Sequence, residues 1–293
     1  MNKLSITESH NPNTINIDLM DSIEIARTIN NEDKKISLAI EKCLQQIAES
    51  IDMVASSFNN GGRLAYFGAG TSGRLGILDA SEMLPTFGAP TSMVQGFIAG
   101  GDKAIKLPVE NAEDKKEFAI KDIKKFTPTK NDVVVAISAN GGAQYCITAI
   151  EEAKKYGAKT IAISSNPEAK IAKFADIFIN PIVGEEVITG SSRMKSGTAQ
   201  KMILNMITTG AMIRIGKTYK NYMIDLQLTN KKLVDRGTRF ISEICGIPYS
   251  DASILLEKAQ NVKTACVMEI KQCTKEEAEK LLAQNNGILR KII

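Results

Sequence analysis

Residues 63–74 read Arg63-Leu64-Ala65-Tyr66-Phe67-Gly68-Ala69-Gly70-Thr71-Ser72-Gly73-Arg74. A short apolar run passes directly into the spacing G-x-G-x-x-G, which reads as a strand, a tight turn and the N-terminus of a helix. Four more runs of the same kind follow: Ser92 to Ile98, Asp132 to Ser138, Lys159 to Ser164 and Asp176 to Ile179. Each is separated from the next by a stretch of helical or loop character. Strands alternating with helices predict an α/β fold with a doubly wound, five-stranded parallel sheet.

Upstream, Ile36, Ile40, Cys43, Ile47, Ile51 and Val54 recur at spacings of three and four, predicting one amphipathic helix over Lys35 to Phe58. Downstream, strand signals stop at Ser191, and Thr198 to Ile215 is rich in Met and Ile, a core-facing pattern. The tail from Ser250 to Ile293 reads as two or three short helices, with Thr274-Lys275-Glu276-Glu277 as a helix start. The expected organisation is an N-terminal helical segment over 1–50, a sheet domain over 51–220 and a small helical domain over 245–293.

Composition narrows the chemistry by exclusion. The chain has 293 residues, 43% hydrophobic and 24% charged, with a formal net charge of +4, too near balance to suggest nucleic acid or a membrane surface. Its single histidine, His10, lies in the polar stretch Glu8-Ser9-His10-Asn11-Pro12, so acid–base work falls to other groups. The five cysteines, Cys43, Cys146, Cys245, Cys266 and Cys273, include no C-x-x-C pair, which argues against zinc; no metal and no cofactor are expected. Scattered thiols, with no apolar leader in the first residues and no run of the roughly 20 apolar residues a membrane span needs, give a cytoplasmic expectation.

In an open parallel sheet, ligands bind beyond the carboxyl ends of the strands. The first such loop holds Gly70, Thr71 and Ser72. A dinucleotide would need an acid about 20 residues further on, yet Ser92-Met93-Val94-Gln95 stands there. Two hydroxyls and free N–H groups at a helix start suit a single phosphate instead. The third strand ends similarly, in Ser138-Ala139-Asn140-Gly141-Gly142. Two such loops on strands 1 and 3 point to a phosphorylated small molecule. A third segment, Gly190-Ser191-Ser192-Arg193-Met194-Lys195-Ser196-Gly197, adds hydroxyls and two cations, although either serine could serve only as a helix N-cap.

Two glutamates stand out among the acids near these loops. Glu82 ends the helix begun at Thr71, and Glu113 lies in Ala112-Glu113-Asp114. Spacing alone does not separate either from a surface carboxylate.

The stretches Tyr66 to Gly76, Asp79-Ala80-Ser81-Glu82 and Gly190 to Lys201 closely resemble the N-acetylmuramic acid 6-phosphate etherases, members of the sugar isomerase (SIS) domain superfamily. The likeness extends to Thr7-Glu8, Asn11-Pro12 and Ile17-Asp18, to Ile98-Ala99-Gly100-Gly101 and Ile137 to Gly141, and to Asp225-Leu226 and Val234-Asp235-Arg236. His10 stands where the family pattern has Arg, and Met83-Leu84 where it has Cys-Pro; neither change touches a carboxylate or a loop hydroxyl.

The resemblance implies a SIS-type sandwich and a homodimer sharing its sites across the interface. It also implies cleavage of the D-lactyl ether of N-acetylmuramic acid 6-phosphate, giving N-acetylglucosamine 6-phosphate and D-lactate in peptidoglycan sugar recycling. By motif position Glu82 matches the proton donor to lactate and Glu113 the second acid–base group. Opposite roles need separated pKa values, so Glu82 is expected to be the more buried and protonated. The implied binding residues are Gly70, Thr71, Ser72, Ser138, Asn140, Gly141, Ser191, Ser192, Arg193 and Lys195. Two rivals share the fold: a non-catalytic sugar-phosphate sensor like the glucokinase regulatory protein, which is about twice as long, and a phosphosugar isomerase.

Overall fold

The computed structural model describes residues 5–293. Helices α1 (Ser22–Asp33), α2 (Lys35–Glu41) and α3 (Leu44–Asn59) precede β1 (Leu64–Gly68). Then follow α4 (Gly70–Ser81), α5 (Met83–Phe87), β2 (Val94–Ile98), α6 (Lys103–Lys106) and α7 (Lys116–Phe126). The run continues with β3 (Val133–Ile137), α8 (Gln144–Lys155), β4 (Lys159–Ile163), β5 (Ile177–Ile179) and α9 (Lys195–Arg214). Helices α10 (Lys231–Cys245), α11 (Tyr249–Ala259), α12 (Val262–Lys271) and α13 (Lys275–Gln284) complete it. Among the described residues no helix is long and apolar enough to cross a membrane.

The five strands form one parallel sheet in the order β2-β1-β3-β4-β5. One face, carrying Ala65, Phe67, Phe97, Val134, Ala136 and Ala162, is buried under α7 and α8 through Ile123, Phe126, Tyr145, Cys146 and Ile150. The opposite face packs against α3 and α4. Burial on both faces explains why the strands read as unbroken apolar runs rather than alternating ones. Gly73 shows why the first loop is glycine-rich: a Cβ there would lie 2.6 Å from the Gly68 carbonyl oxygen and from Ile98. Only a residue without a side chain lets α4 approach the sheet this closely.

The chain divides into two compact units, residues to Ser81 with Ser92–Thr208, and Glu82–Thr91 with Thr209–Ile293. This differs from the boundaries expected at 50, 220 and 245. The N-terminal residues are not a separate segment, because Asn11 and Thr14 donate hydrogen bonds to the carbonyls of Glu185 and Val187 at 3.1 and 2.8 Å. Residues 82–91 join the second unit: a Cβ on Gly88 would meet the Asp225 carbonyl oxygen at 2.4 Å. The later division falls inside α9, where periodicity gives no signal.

The predicted helix over Lys35 to Phe58 is two helices, interrupted at Lys42 and Cys43. There the Cys43 N–H bonds the Ile40 carbonyl at 2.8 Å, a tighter turn than the α-helix makes. The second unit has its own core of Ile224, Ile241, Leu256, Val262, Cys266 and Leu289. Its tail holds three helices, α11 to α13, and Thr274 with Glu277 forms a capping box at the start of α13.

Candidate active site

In the strand order β2-β1-β3-β4-β5 the chain leaves β1 in one direction to β2 and lies in the other at β3, so the loops after β1 and β3 diverge around a crevice. A cavity of about 490 Å³ opens there. From the β1 end come Ala69, Gly70, Thr71 and Ser72, and from the β3 end Ser138, Ala139, Asn140, Gly142 and Ala143. Ser192 and Gly190 line a further wall, and three carboxylates, Glu8, Glu113 and Asp114, complete it.

The polar groups are held in place by bonds to neighbouring loops, and at Ser138 those bonds leave a donor for a ligand. The Ser138 hydroxyl oxygen accepts the Gly141 N–H at 3.1 Å, so its own hydrogen is free to donate inward. Gly141 has φ of +74°, and a Cβ there would lie 2.3 Å from that of Ala169; the turn after β3 therefore needs glycine. The same loop is braced from β4 and β5. Ser164 donates to the Ala139 carbonyl at 3.0 Å, Asn166 to the Asn140 carbonyl at 2.9 Å and Asn180 to the Ser164 carbonyl at 2.6 Å. Ser72 donates to the Gln200 side-chain oxygen at 2.9 Å, tying the first loop to α9. Below the two loops, the Cys146 thiol donates to the Ile137 carbonyl at 3.3 Å. Burial, with the negative charge of Glu113 adding to it, pushes that thiol up to about 12. Cys146 is a neutral core group, not a nucleophile.

Glu8 and Asp114 also line the cavity, beyond the two glutamates that the sequence singles out. Glu8 ends a 3₁₀ turn over Ile6–Glu8, and the turn is pinned by Asn140, whose amide donates to the hydroxyls of Ser5 and Thr7 at 3.0 and 3.2 Å. The motif Thr7-Glu8 was the only signal for it.

The predicted binding residues part company here. Gly70, Thr71, Ser72, Ser138, Asn140 and Ser192 line the cavity with Glu113; Gly141 is not among the lining residues and instead donates its N–H to the Ser138 hydroxyl. Ser191, Arg193 and Lys195 are not among its lining residues. Lys195 is 1% exposed, and its ammonium lies 2.7 Å from the carboxylate of Glu32, itself 3% exposed. Asn11, Asn13 and Lys35 bond the same carboxylate at 2.9, 3.0 and 2.6 Å. Burial alone would raise the Glu32 pKa, but these bonds outweigh it and hold it down at about 2. Neither serine caps α9 through its side chain: the buried Glu186 carboxylate accepts the Lys195 and Ser196 N–H groups at 2.8 and 2.9 Å. A fixed internal anion thus occupies the helix end that the sequence offered to a phosphate.

Glu82 lies in the second unit, before α5, and is not among the lining residues of the cavity. It was expected to be the more buried glutamate, yet Glu82 and Glu113 are both exposed in this chain.

Comparison with known proteins places this geometry. Residues 35–154 match the model of the glucokinase regulatory protein N-terminal SIS domain, and residues 113–210 that of the SIS domain. A protein named N-acetylmuramic acid 6-phosphate etherase, from Actinobacillus pleuropneumoniae serotype 5b (strain L20), is 47% identical over 289 residues, 98% of this chain and 95% of that one. The chain belongs to the N-acetylmuramic acid 6-phosphate etherase family. Another relative, N-acetylmuramic acid 6-phosphate etherase 2 from Vibrio parahaemolyticus serotype O3:K6 (strain RIMD 2210633), is 50% identical, with 97% of this chain and 95% of that one covered. Among solved structures, a phosphoheptose isomerase from Neisseria gonorrhoeae is 18% identical, with a TM-score of 0.49 over 64% of this chain and 99% of that one. The etherase family is a SIS-fold family, and the sheet and its two loops are the SIS sandwich.

Proposed function

We propose that this chain is a carbon–oxygen lyase that cleaves the D-lactyl ether of N-acetylmuramic acid 6-phosphate, releasing D-lactate and N-acetylglucosamine 6-phosphate in the re-use of cell-wall amino sugars. The observation that carries the reading is one cavity in which Glu113 stands with the hydroxyls of Thr71, Ser138 and Ser192. Hydroxyl and N–H donors suit a phosphate, and a carboxylate beside them suits proton abstraction.

In the open-chain sugar the C1 aldehyde acidifies the C2 proton. Glu113 takes that proton, and the C2–H electron pair becomes the C2=C3 double bond. The C3–O bond breaks with its pair leaving on the lactate oxygen, which accepts a proton from an acid. Water then adds across C2=C3, returning hydrogen to C2 and placing hydroxyl on C3. From its place in the family motif Glu82 is the donor to lactate. The Thr71, Ser138 and Ser192 hydroxyls and the Gly70 N–H hold the phosphate, Ser72, Asn140 and Gly141 brace the loops around it through their bonds to Gln200, to Ser5 and Thr7, and to Ser138, and no metal or cofactor enters the scheme.

The working form in this reading is a cytoplasmic homodimer with sites shared between copies, an arrangement that would bring Glu82 of one copy to Glu113 of another. Running the reaction in D₂O and in H₂¹⁸O tests the scheme: the sugar product gains one deuterium at C2 and one ¹⁸O at C3, and lactate gains no ¹⁸O. Label in lactate would mean hydrolysis at its own carbon, and no lactate at all would favour an isomerase or a sensor.

A further inference from the structure

Beside the main cavity lies a smaller one of about 200 Å³, and the two share Ala69, Gly70 and Glu113. Its walls are mostly apolar, with Ala99, Ala104, Pro108 and Val109, and one charged group of opposite sign to Glu113, Arg74. Among the described residues Arg74 is the only Lys or Arg on the wall of either cavity. It stands in the first turns of α4, half-buried, and its Nε donates to the Ile105 carbonyl at 2.9 Å. That bond fixes one edge of the guanidinium. Its two terminal nitrogens make no hydrogen bond or ion pair with the described residues.

A substrate of the class proposed above carries two anionic groups, a phosphate on C6 and a carboxylate on the three-carbon arm at O3. Hydroxyls and N–H groups serve the phosphate in the main cavity, whose described lining carries Glu8, Glu113 and Asp114 and no Lys or Arg; a second anion there would meet the charge of the phosphate as well as theirs. Like charges at close range repel, whereas the open terminal edge of a planar guanidinium, its two Nη groups side by side, matches a carboxylate in shape and sign.

We propose that the smaller cavity is the subsite for the lactyl arm, with Arg74 gripping its carboxylate and the Ala104 and Val109 side receiving its methyl group. Glu113, on the wall common to both cavities, then stands at the junction of sugar and arm, where C2 meets C3. The inference rests on the substrate class given under the proposed function, and Arg74 is a binding residue for the leaving group rather than an acid or base.

The test compares wild type with Arg74→Gln and Arg74→Lys. The expected result for Arg74→Gln is a KM for N-acetylmuramic acid 6-phosphate at least tenfold higher. Inhibition by N-acetylglucosamine 6-phosphate, which has no arm, should stay within twofold of wild type, with Arg74→Lys intermediate in KM. A second measurement needs no variant. The lactyl carboxamide of the substrate should bind wild type at least tenfold more weakly than the acid, and the two should bind Arg74→Gln equally. An unchanged KM, an equal loss of affinity for the armless product, or a carboxamide that binds wild type as well as the acid would overturn the subsite. Should Arg74→Gln fail to fold, the wild-type carboxamide comparison decides alone. Absence of D-lactate from wild type would overturn the proposed function itself, and the subsite with it; active wild type with an indifferent Arg74 would overturn the subsite alone.

Discussion

The ammonium of Lys195 lies 2.7 Å from the carboxylate of Glu32, and both side chains are all but removed from water. The pair joins α1 to the start of α9, and through Asn11 and Asn13 it also anchors the N-terminal strap that carries Glu8 to the cavity. Removing Glu32 leaves the buried Lys195 ammonium without its counter-charge, whereas Glu32 without Lys195 would keep Lys35. Glu32→Met should cost about 3–5 kcal/mol in urea unfolding, by the measured behaviour of broken buried pairs. A loss below about 1 kcal/mol would mean that the pair is incidental.

The same pair sets an acid limit. Glu32 is held at about 2 in the folded chain, against an ordinary 4.5. A carboxylate with a depressed folded pKa stabilises above its unfolded value, and that contribution disappears as pH falls from about 4.5 to about 2. It amounts to on the order of 3 kcal/mol. Unfolding measured across that window should show the decline in wild type and a shallower one in Glu32→Gln. Parallel curves for the two would reject the assignment.

Thr71 and Ser138 line the cavity from loops on adjacent strands. If their hydroxyls hold a phosphate, Thr71→Ala and Ser138→Ala should each raise KM by roughly 10- to 100-fold, the loss of a hydrogen bond to a charged group. Inhibition by inorganic phosphate should weaken in parallel. A fall in kcat with KM unchanged would assign the hydroxyls to the reacting carbons instead.

Gly141 is at φ of +74° with Ala169 closing over it. Gly141→Ala should destabilise the fold by about 1–3 kcal/mol through backbone strain and overpacking. It should also disturb Ser138, whose hydroxyl accepts the Gly141 N–H. Thermal unfolding reads the first effect and phosphate inhibition the second; a neutral variant would show that the loop yields freely.

Much of this was legible in the residues. The five apolar runs became five strands because burial on both faces demands unbroken hydrophobic character, and the glycines of the first loop marked a close approach of helix to sheet. Lys195 was misread because a cation among small residues looks the same in sequence whether it meets a ligand or a buried acid. Its partner Glu32 is 163 positions away, a separation no local pattern reports. Glu186 was missed for a similar reason: capping by an acid nine residues upstream of the helix has no local signature. The boundary inside α9 was invisible because an unbroken helix carries no punctuation.

Glu82 and Glu113 are assigned opposite proton transfers, and this can be separated by exchange. Glu82→Gln should still admit solvent deuterium at C2 while lactate release fails, whereas Glu113→Gln should do neither. If sites are shared between copies, mixing the two inactive variants restores activity, to about one quarter of wild type, since half the dimers are mixed and one of their two sites is whole. No recovery after subunit exchange would place both glutamates in one chain's site.

The most direct measurement is D-lactate release from N-acetylmuramic acid 6-phosphate by the purified chain and by its Glu113→Gln variant, side by side. The expected result is stoichiometric D-lactate from wild type and a rate lower by at least about 10²–10⁴-fold from the variant, the span typical of a lost general base. Wild type that binds the sugar phosphate but releases no lactate, or a variant as fast as wild type, would contradict the assignment of this cavity as the site of ether cleavage.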